Sequence, residues 1–142
     1  SSAASDVYKR QEQESMIDLY LERGEMFALY DQNILKTICV VTDEGGKTIE
    51  LKNIATDPQY QKQGYGKRLI RFISEHYAGK YDTLLVGTGE SPLTIPFYAQ
   101  NGFKYSHRIK DFFTDNYDHP IYEDGKQLVD MVYLRKELSK SK

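Results

Sequence analysis

Residues 61–66, Gln-Lys-Gln-Gly-Tyr-Gly, have the types and spacing to bind a phosphate group. They precede a predicted helix, whose N-terminus offers unpaired backbone N–H groups and a partial positive charge to an anion. Gly64 and Gly66 let the backbone approach that anion closely, and Lys67 adds positive charge. A dinucleotide-binding loop would need glycine where Leu69 stands, and an ATP-binding loop would need Ser or Thr after Lys67. Since an ordinary glycine-rich loop could also precede a helix, both interpretations stay open on this stretch alone.

Hydropathy and turn residues predict the elements that position this stretch. A strand at 48–56 precedes it and a helix at 65–78 follows it. The inner face of that helix is predicted to consist of Leu69, Ile70, Phe72, Ile73 and Tyr77. Further strands are predicted at 26–30, 34–42, 83–87, 103–109 and 127–134, and further helices at 11–23, 91–101 and 111–117. Pro92 fits the first position of the helix at 91–101, whereas Pro96 is expected to kink it. This order predicts one mixed α/β domain.

The composition excludes several classes of protein. With 19 basic and 21 acidic residues and a net charge of −2, the chain lacks the basic excess of most nucleic-acid-binding domains. No apolar run reaches the roughly 18 residues of a membrane span, and no signal peptide is recognised. The lone Cys39 excludes an internal disulfide and a cysteine-rich zinc site. We therefore expect a cytoplasmic monomer or homodimer without metal, membrane or nucleic-acid partners. Residues 1–10 are interpreted as a tail or non-native segment, and 11–142 as a single domain.

Two motifs in the right order resemble a known family. Gln61-x-x-Gly64-x-Gly66 matches the Q/R-x-x-G-x-G/A signature of the GNAT superfamily of N-acetyltransferases. The segment at 97–103, Phe-Tyr-Ala-Gln-Asn-Gly-Phe, is similar to a second family segment at the usual distance. Residues 53–58 resemble the strand that leads into the signature. The match covers roughly residues 25–135, and the sequence is identified as a member, similar to a branch of small bacterial acetyltransferases.

The resemblance implies a fold and two departures from it. The GNAT fold is a mixed, mostly antiparallel sheet, flanked by helices, that splays between the family's fourth and fifth strands, here 48–56 and 83–87. The family begins with a strand and a helix that this chain starts too late to contain, so both are expected to be missing or replaced by residues 1–10. Ser91 stands where many members have an Asn that contacts CoA.

The resemblance also implies acetyl-CoA as cosubstrate, with the pantetheine arm along residues 53–56 and the pyrophosphate at 63–67. The expected CoA-binding residues are Asn53, Ile54, Ala55, Thr56, Gln61, Gln63, Gly64, Tyr65, Gly66, Lys67 and Ser91. Tyr98 is expected to protonate the departing sulfur, since a phenol is protonated at neutral pH, although a core tyrosine would fit the same position. Glu50 is the expected general base, with a solvated strand carboxylate as the alternative. A backbone N–H near Ile54 is expected to stabilise the oxyanion.

The segment at 111–124 is expected to bind the acceptor. It contains five carboxylates and no Lys or Arg, so it is either a solvated acidic loop or a lid that favours a cationic amine. The expected acceptor-binding residues are Asp111, Phe112, Phe113 and Tyr117. The predicted activity is transfer of an acetyl group to a primary amine of a small molecule or a protein. The alternatives are a non-catalytic acyl-CoA-binding or regulatory module on the same scaffold and an unrelated phosphate-binding α/β protein.

Overall fold

The structure is a computed structural model that describes residues 24–138. The predicted helix at 11–23 and any replacement for the family's first strand and helix lie outside these residues. Between 24 and 138 the elements are β1 (Gly24–Asp31), β2 (Ile34–Gly45), β3 (Thr48–Thr56), α1 (Tyr65–Tyr77), β4 (Thr83–Gly89), α2 (Ile95–Gln100), β5 (Lys104–Ile109), α3 (Phe112–Asn116), β6 (Ile121–Glu123), β7 (Lys126–Leu128) and β8 (Met131–Glu137). A short 3-10 turn, Pro58–Tyr60, lies between β3 and α1.

Six of these strands form one sheet in the order β1-β2-β3-β4-β8-β5, and β6 pairs with β7 in a separate hairpin. All neighbours in the large sheet are antiparallel except β3 and β4, which run parallel. The parallel pairing begins at Thr48 opposite Thr83 and ends at Leu51 opposite Val86, so the carboxyl-terminal halves of β3 and β4 do not pair. The predicted mixed, mostly antiparallel sheet with a splay between these two strands is therefore confirmed.

Helix α1 packs on the sheet through an apolar stripe. Leu69, Ile70, Ile73 and Tyr77 are buried and join residues of β2, β3, β4 and β8 in one core. The prediction that Phe72 shares this face is wrong, because its side chain is 52% exposed. It lies at the rim, where its ring stacks on His76 and meets the edge of Phe27.

Two predicted elements have different limits in the structure. Helix α2 begins at Ile95 rather than at 91, so Pro96 lies in its first turn, where its missing N–H breaks no helical bond. The predicted kink at Pro96 is therefore wrong. The predicted strand at 127–134 is divided into β7 and β8, because the intervening residues bind elsewhere: the carbonyl of Val129 accepts from Phe113 N, and Asp130 binds Arg108.

Candidate active site

A bulge in β3 determines which of its side chains face the helices. Two residues of β3 lie between Lys52 and Ala55, whereas only one residue of β2 lies between their partners Val40 and Ile38. Asn53 takes a left-handed backbone conformation, with φ of 51°, at this extra residue. A bulge reverses the alternation of side chains along a strand. As a result Ile49 and Leu51 face the core before it, and Ile54 packs against the core after it.

The strand beyond the bulge forms one wall of a cleft of about 380 Å³. Its other walls are the turn before α1, the first residues of α1, and the region around α2. The cleft is lined by Ile54, Thr56, Tyr60, Gln61, Lys62, Gly64, Tyr65, Gly66, Lys67, Leu93, Thr94, Phe97 and Tyr98. It lies where β3 and β4 separate, at their carboxyl ends, which is the usual position of a ligand in an open α/β sheet.

Hydrogen bonds from polar side chains stabilise the turn before α1, at residues 57–64. Asp57 Oδ1 accepts from Gln59 N at 2.9 Å, and Gln61 Nε2 donates to the last carbonyl of β3, that of Thr56, at 3.3 Å. Lys62 and Gly64 have φ of 63° and 87°, so the chain turns sharply into the helix. At Gly64 only glycine takes that conformation without cost.

The N-terminus of α1 is open towards the cleft. It has no side-chain cap and no acidic residue in its first turn. The backbone N–H groups of that turn and the positive helix end therefore remain for an anion. Lys62 and Lys67 also line the cleft and add positive charge. These donors and positive charges suit a phosphate or diphosphate at this end of the cleft.

Gly66 is needed for space rather than for backbone conformation. A Cβ at this position would lie 3.2 Å from Phe97 Cζ and 3.9 Å from Thr56 Oγ1. Helix α1 therefore packs closely against both walls of the cleft here. A branched side chain would displace the Phe97 ring and fill the cleft beside the turn.

Tyr98 is a buried phenol at the cleft wall. It is 6% exposed, and its ring packs edge-on against Phe97 and Phe103. Burial raises its pKa to about 12, with smaller contributions from electrostatic interactions with Cys39 and Glu123. The phenol is therefore protonated throughout the physiological range. Two hydroxyl groups 2.7 Å apart, Thr88 Oγ1 and Thr94 Oγ1, join the end of β4 to the start of this helix.

The structure brings most of the predicted CoA residues to one cleft. Those on its wall are Ile54, Thr56, Gln61, Gly64, Tyr65, Gly66 and Lys67, together with Tyr98. The sequence did not single out Tyr60, Leu93, Thr94 and Phe97 as binding residues. The sequence places Leu93 inside the helix predicted at 91–101, whereas in the structure it precedes the N-cap Thr94 of α2 and is 59% exposed.

Four predicted CoA residues are not among those lining the cleft. Ala55 is exposed and paired opposite Ile38, and Gln63 Nε2 donates to Gln59 O at 3.4 Å. Ser91 is 1% exposed, and its Oγ accepts from Leu93 N at 3.0 Å. The amide nitrogen of Asn53 is buried without a hydrogen-bond partner within residues 24–138. It is a donor at the bulge that an incoming acceptor atom could use.

Glu50 lies on the opposite side of the sheet from the core. Its neighbours Ile49 and Leu51 face the core, so Glu50 projects from the other face of β3. It is 7% exposed, and its Oε2 lies 3.0 Å from Lys52 Nζ. The structure does not place Glu50 among the residues that line the cleft.

The acidic segment forms a second concave site. A cavity of about 220 Å³ is lined by Phe113, Thr114, Tyr117, Asp118, His119, Pro120, Ile121, Gln127 and Leu128. Of the predicted acceptor residues, Phe113 and Tyr117 stack with ring centroids 5.9 Å apart and line this cavity. Asp111 and Phe112 do not line it.

Basic residues from outside the segment pair with the carboxylates around it. Arg108 binds Asp130 at 2.9 Å and Glu90 at 3.3 Å, and Lys126 Nζ lies 3.9 Å from Glu90. Hydrogen bonds to the Tyr105 hydroxyl and then to Asp130 raise the pKa of Arg108, with a smaller contribution from Glu90. The Asp111 N–H, followed by Arg108, lowers the pKa of Asp130. Since Asp111 N donates to Asp130 Oδ1 at 2.8 Å, the network fixes the start of the acidic segment to β8.

Residues 24–138 contain no group of three His, Cys, Asp or Glu side chains placed to bind a metal ion. In the same part of the chain, no helix has the length and apolar character to cross a membrane.

Fold and site together define an α/β protein with a cleft where two parallel strands separate, at the open N-terminus of α1. The model of the acetyltransferase (GNAT) domain family matches residues 22–105, more than half of the chain. The chain belongs to this family and is an acetyl-CoA-dependent acyltransferase.

Three relatives support the assignment. The uncharacterized N-acetyltransferase YvbK of Bacillus subtilis (strain 168) is 36% identical over 126 residues, which cover 87% of this chain and 81% of the relative. A GNAT family acetyltransferase from Elizabethkingia anophelis, solved with acetyl-CoA bound, is 35% identical with a TM-score of 0.81, over 87% of this chain and 82% of that one. A Bacillus subtilis acetyltransferase in complex with CoA has the same identity and TM-score, over 87% and 83%.

Proposed function

We propose that this protein transfers the acetyl group of acetyl-CoA to a primary amine, with a cationic small molecule as the favoured acceptor. The observation that carries the proposal is the cleft at the splay, where an uncapped helix N-terminus and two lysines face the carboxyl-terminal half of β3. Solved relatives with acetyl-CoA and with CoA bound, each 35% identical, support the choice of cosubstrate.

The chain's own residues fit the parts of acetyl-CoA. The diphosphate would lie at the N–H groups of Tyr65, Gly66 and Lys67, beside Lys62. The pantetheine arm would lie along β3 beyond Leu51, where the strand no longer pairs with β4 and its backbone edge can add an extended partner. The buried amide nitrogen of Asn53 supplies a donor in that region. Bound acetyl-CoA supplies a thioester carbonyl that a neutral amine can attack.

Two groups would stabilise the charges that develop during transfer. A backbone N–H at the bulge, near Ile54, would donate to the carbonyl oxygen as it becomes negative. The Tyr98 hydroxyl would donate its proton to the sulfur as the carbon–sulfur bond breaks. Its raised pKa keeps that proton in place at neutral pH. Tyr98 and Ile54 both line the cleft, and this shared position supports the proposed pair of donors.

Glu50 is the proposed base that makes the amine neutral. Its carboxylate is paired with Lys52, on the face of β3 away from the core. Proton removal by Glu50 would therefore need this pair to open or a water to relay the proton.

The preference for a cationic acceptor is supported by the acidic segment. Glu123 is close enough to Tyr98 for its charge to raise the pKa of that phenol. The nearby cavity offers the stacked rings of Phe113 and Tyr117, whose faces attract a cation. An amine carrying a positive charge would be drawn towards this side of the site before it is deprotonated.

The test is a thiol-release assay of the full chain with acetyl-CoA and a panel of cationic, neutral and anionic primary amines. We expect release of CoA thiol with at least one amine and the highest kcat/KM with cationic ones. A protein that binds CoA but releases thiol with no amine would be the non-catalytic module instead. Thermal stabilisation by ATP or NAD, and none by CoA, would contradict the proposed cosubstrate.

A further inference from the structure

Lys36, on β2, is a buried lysine beside the diphosphate-binding turn. Its residue is 6% exposed, and its Nζ lies 3.3 Å from the centroid of the Tyr60 ring and 5.5 Å from that of Tyr65. An ammonium group loses hydration when it is buried, so it needs a compensating partner. The face of an aromatic ring attracts a cation, and the attraction is strongest where water is excluded. Lys36 and Tyr60 therefore fix each other's position.

Lys36 also contacts the turn through its backbone. Its carbonyl accepts a hydrogen bond at 2.9 Å from the N–H of Asp57, where the loop leaves β3. Tyr60 lies within that loop, and Tyr65 is the first residue of α1. Lys36 thus contacts the loop at its beginning, Asp57, and in its middle, Tyr60, and it lies near Tyr65 at its end.

The tip of the β1–β2 hairpin fixes Tyr65 from the other side. Tyr65 Oη donates to Asp31 Oδ2 at 2.9 Å, and Arg68 Nη1 lies 3.8 Å from the same oxygen. Tyr60 and Tyr65 both line the cleft, while Lys36 and Asp31 lie behind them and do not. The hairpin therefore supports the wall of the cleft without forming part of its surface.

We infer that Lys36 is a positioning residue for cosubstrate binding, which acts through Tyr60 and Tyr65 on the turn at 61–66. It arranges the open helix N-terminus for the diphosphate, and its buried positive charge favours an anion there. This inference rests on the proposed function, because it assigns the turn to the diphosphate of CoA. It predicts that Lys36 matters for the nucleotide half of the cosubstrate and not for the pantetheine half.

The experiment compares two ligands on the full chain. CoA is titrated by calorimetry, and S-acetylpantetheine, which lacks the nucleotide and its diphosphate, is titrated by NMR. Lys36→Met keeps the length of the side chain and removes the charge, so we expect the Kd of CoA to rise about tenfold and that of S-acetylpantetheine to stay the same. Lys36→Arg keeps a cation over the ring and should recover most of the CoA affinity. Lys80→Met removes an exposed lysine after the far end of α1, and it controls for net charge.

Each other outcome overturns the inference. Equal weakening of both ligands would make Lys36 a general stability residue, and unchanged CoA affinity would show that it has no role in binding. Should Lys36→Met fail to fold, Tyr60→Leu removes the same contact from the loop side, and selective loss of CoA affinity is again required. If wild-type protein binds CoA and the Gly66→Val variant binds it equally well, the proposed position of the diphosphate fails, whatever Lys36 does.

Discussion

The cleft where β3 and β4 separate and the acidic segment are built in different ways. The cleft depends on backbone features of nearby residues: a bulge at Asn53, a left-handed turn at Gly64, and the open N-terminus of α1. The acidic segment depends on side chains, and its surroundings include Glu90, Arg108 and Asp130 from three other places in the chain. Backbone groups keep their donor character whatever the neighbours are. Carboxylates change their effective charge when a basic residue pairs with them.

The two sites therefore differ in how well a local sequence motif predicts them. A short motif is enough to specify a backbone cradle, because turn, glycine and helix start follow one another along the chain. The charge around the acidic segment depends also on residues that are distant in sequence. Arg108 and Lys126, which flank segment 111–124 in the chain, both pair with Glu90, which precedes β5 and lies far from them in sequence. Local sequence therefore predicts the cleft at the splay more completely than it predicts the charge around the acidic segment.

Loss of the Tyr98 hydroxyl should have the largest effect on catalysis. Tyr98→Phe keeps the ring packed against Phe97 and Phe103 and removes only the proton donor. General acids contribute about 10²–10⁴-fold, and CoA thiolate is a fairly good leaving group, so we expect kcat to fall about 10- to 100-fold. The Kd of CoA and the melting temperature should change little. Full kcat, with chemistry rate-limiting, would make Tyr98 a packing residue.

Tyr98 should not affect the shape of the pH dependence of kcat below about pH 10. The pKa of Tyr98 is raised to about 12 in the folded state, above the ordinary value of about 10. The contribution of the protonated phenol to folding stability is therefore complete below about pH 10 and is lost as pH rises through about 12. Any fall in kcat below pH 10 has another origin and should be the same in Tyr98→Phe, which steady-state kinetics of both proteins would check.

A side chain at Gly66 should break the cleft and leave the acidic segment intact. Gly66→Val would place a branched side chain where even a Cβ lies 3.2 Å from Phe97. We expect the Kd of CoA, measured by calorimetry, to rise at least about tenfold, or about 1.4 kcal/mol. Circular dichroism should show the folded protein. An unchanged Kd of CoA in a folded variant would contradict the proposed position of the diphosphate.

A side chain at Gly89 should disturb the cavity of the acidic segment and leave the cleft intact. A Cβ there would lie 2.7 Å from Leu128 Cδ1, which lines the cavity of the acidic segment. Gly89→Ala should shift the β6–β7 hairpin, raise the KM of the acceptor about threefold and destabilise the fold by about 1 kcal/mol. Calorimetry should give a wild-type Kd for CoA. A weakened CoA complex with an unchanged acceptor KM would show that the two sites are not separable in this way.

The smallest effect should come from salt. A cationic acceptor attracted by exposed carboxylates should lose affinity as they are screened over roughly 8–10 Å, so we expect its KM to rise about two- to threefold between low salt and roughly 0.3 M. A neutral amine from the same panel serves as the reference. If neutral and anionic amines are preferred, and the KM of no amine depends on salt, the acidic segment does not select the acceptor.

Local patterns in the sequence were sufficient for much of the fold. Strand β3 has the predicted limits, and helix α1 starts at the predicted Tyr65 and ends one residue early. Helix α3 lies within its predicted range. These elements have strong hydropathy periods and glycine, proline or asparagine at their ends. The start of α2 was predicted four residues early because Ser91 and Pro92 fit a helix start; in the structure they form a separate turn, with Thr94 at the N-cap.

The glycine turn at 61–66, the family and the candidate role of Tyr98 can be predicted from the sequence, because each depends on residues that are close together in the chain. Tertiary structure sets which side chains face the cleft, because the bulge at Asn53 reverses the alternation of β3 and no local pattern marks it. It placed Glu50 on the other face and brought Lys36 behind Tyr60. Contacts between distant segments depend on how the strands pair, and strand pairing is a property of the whole sheet.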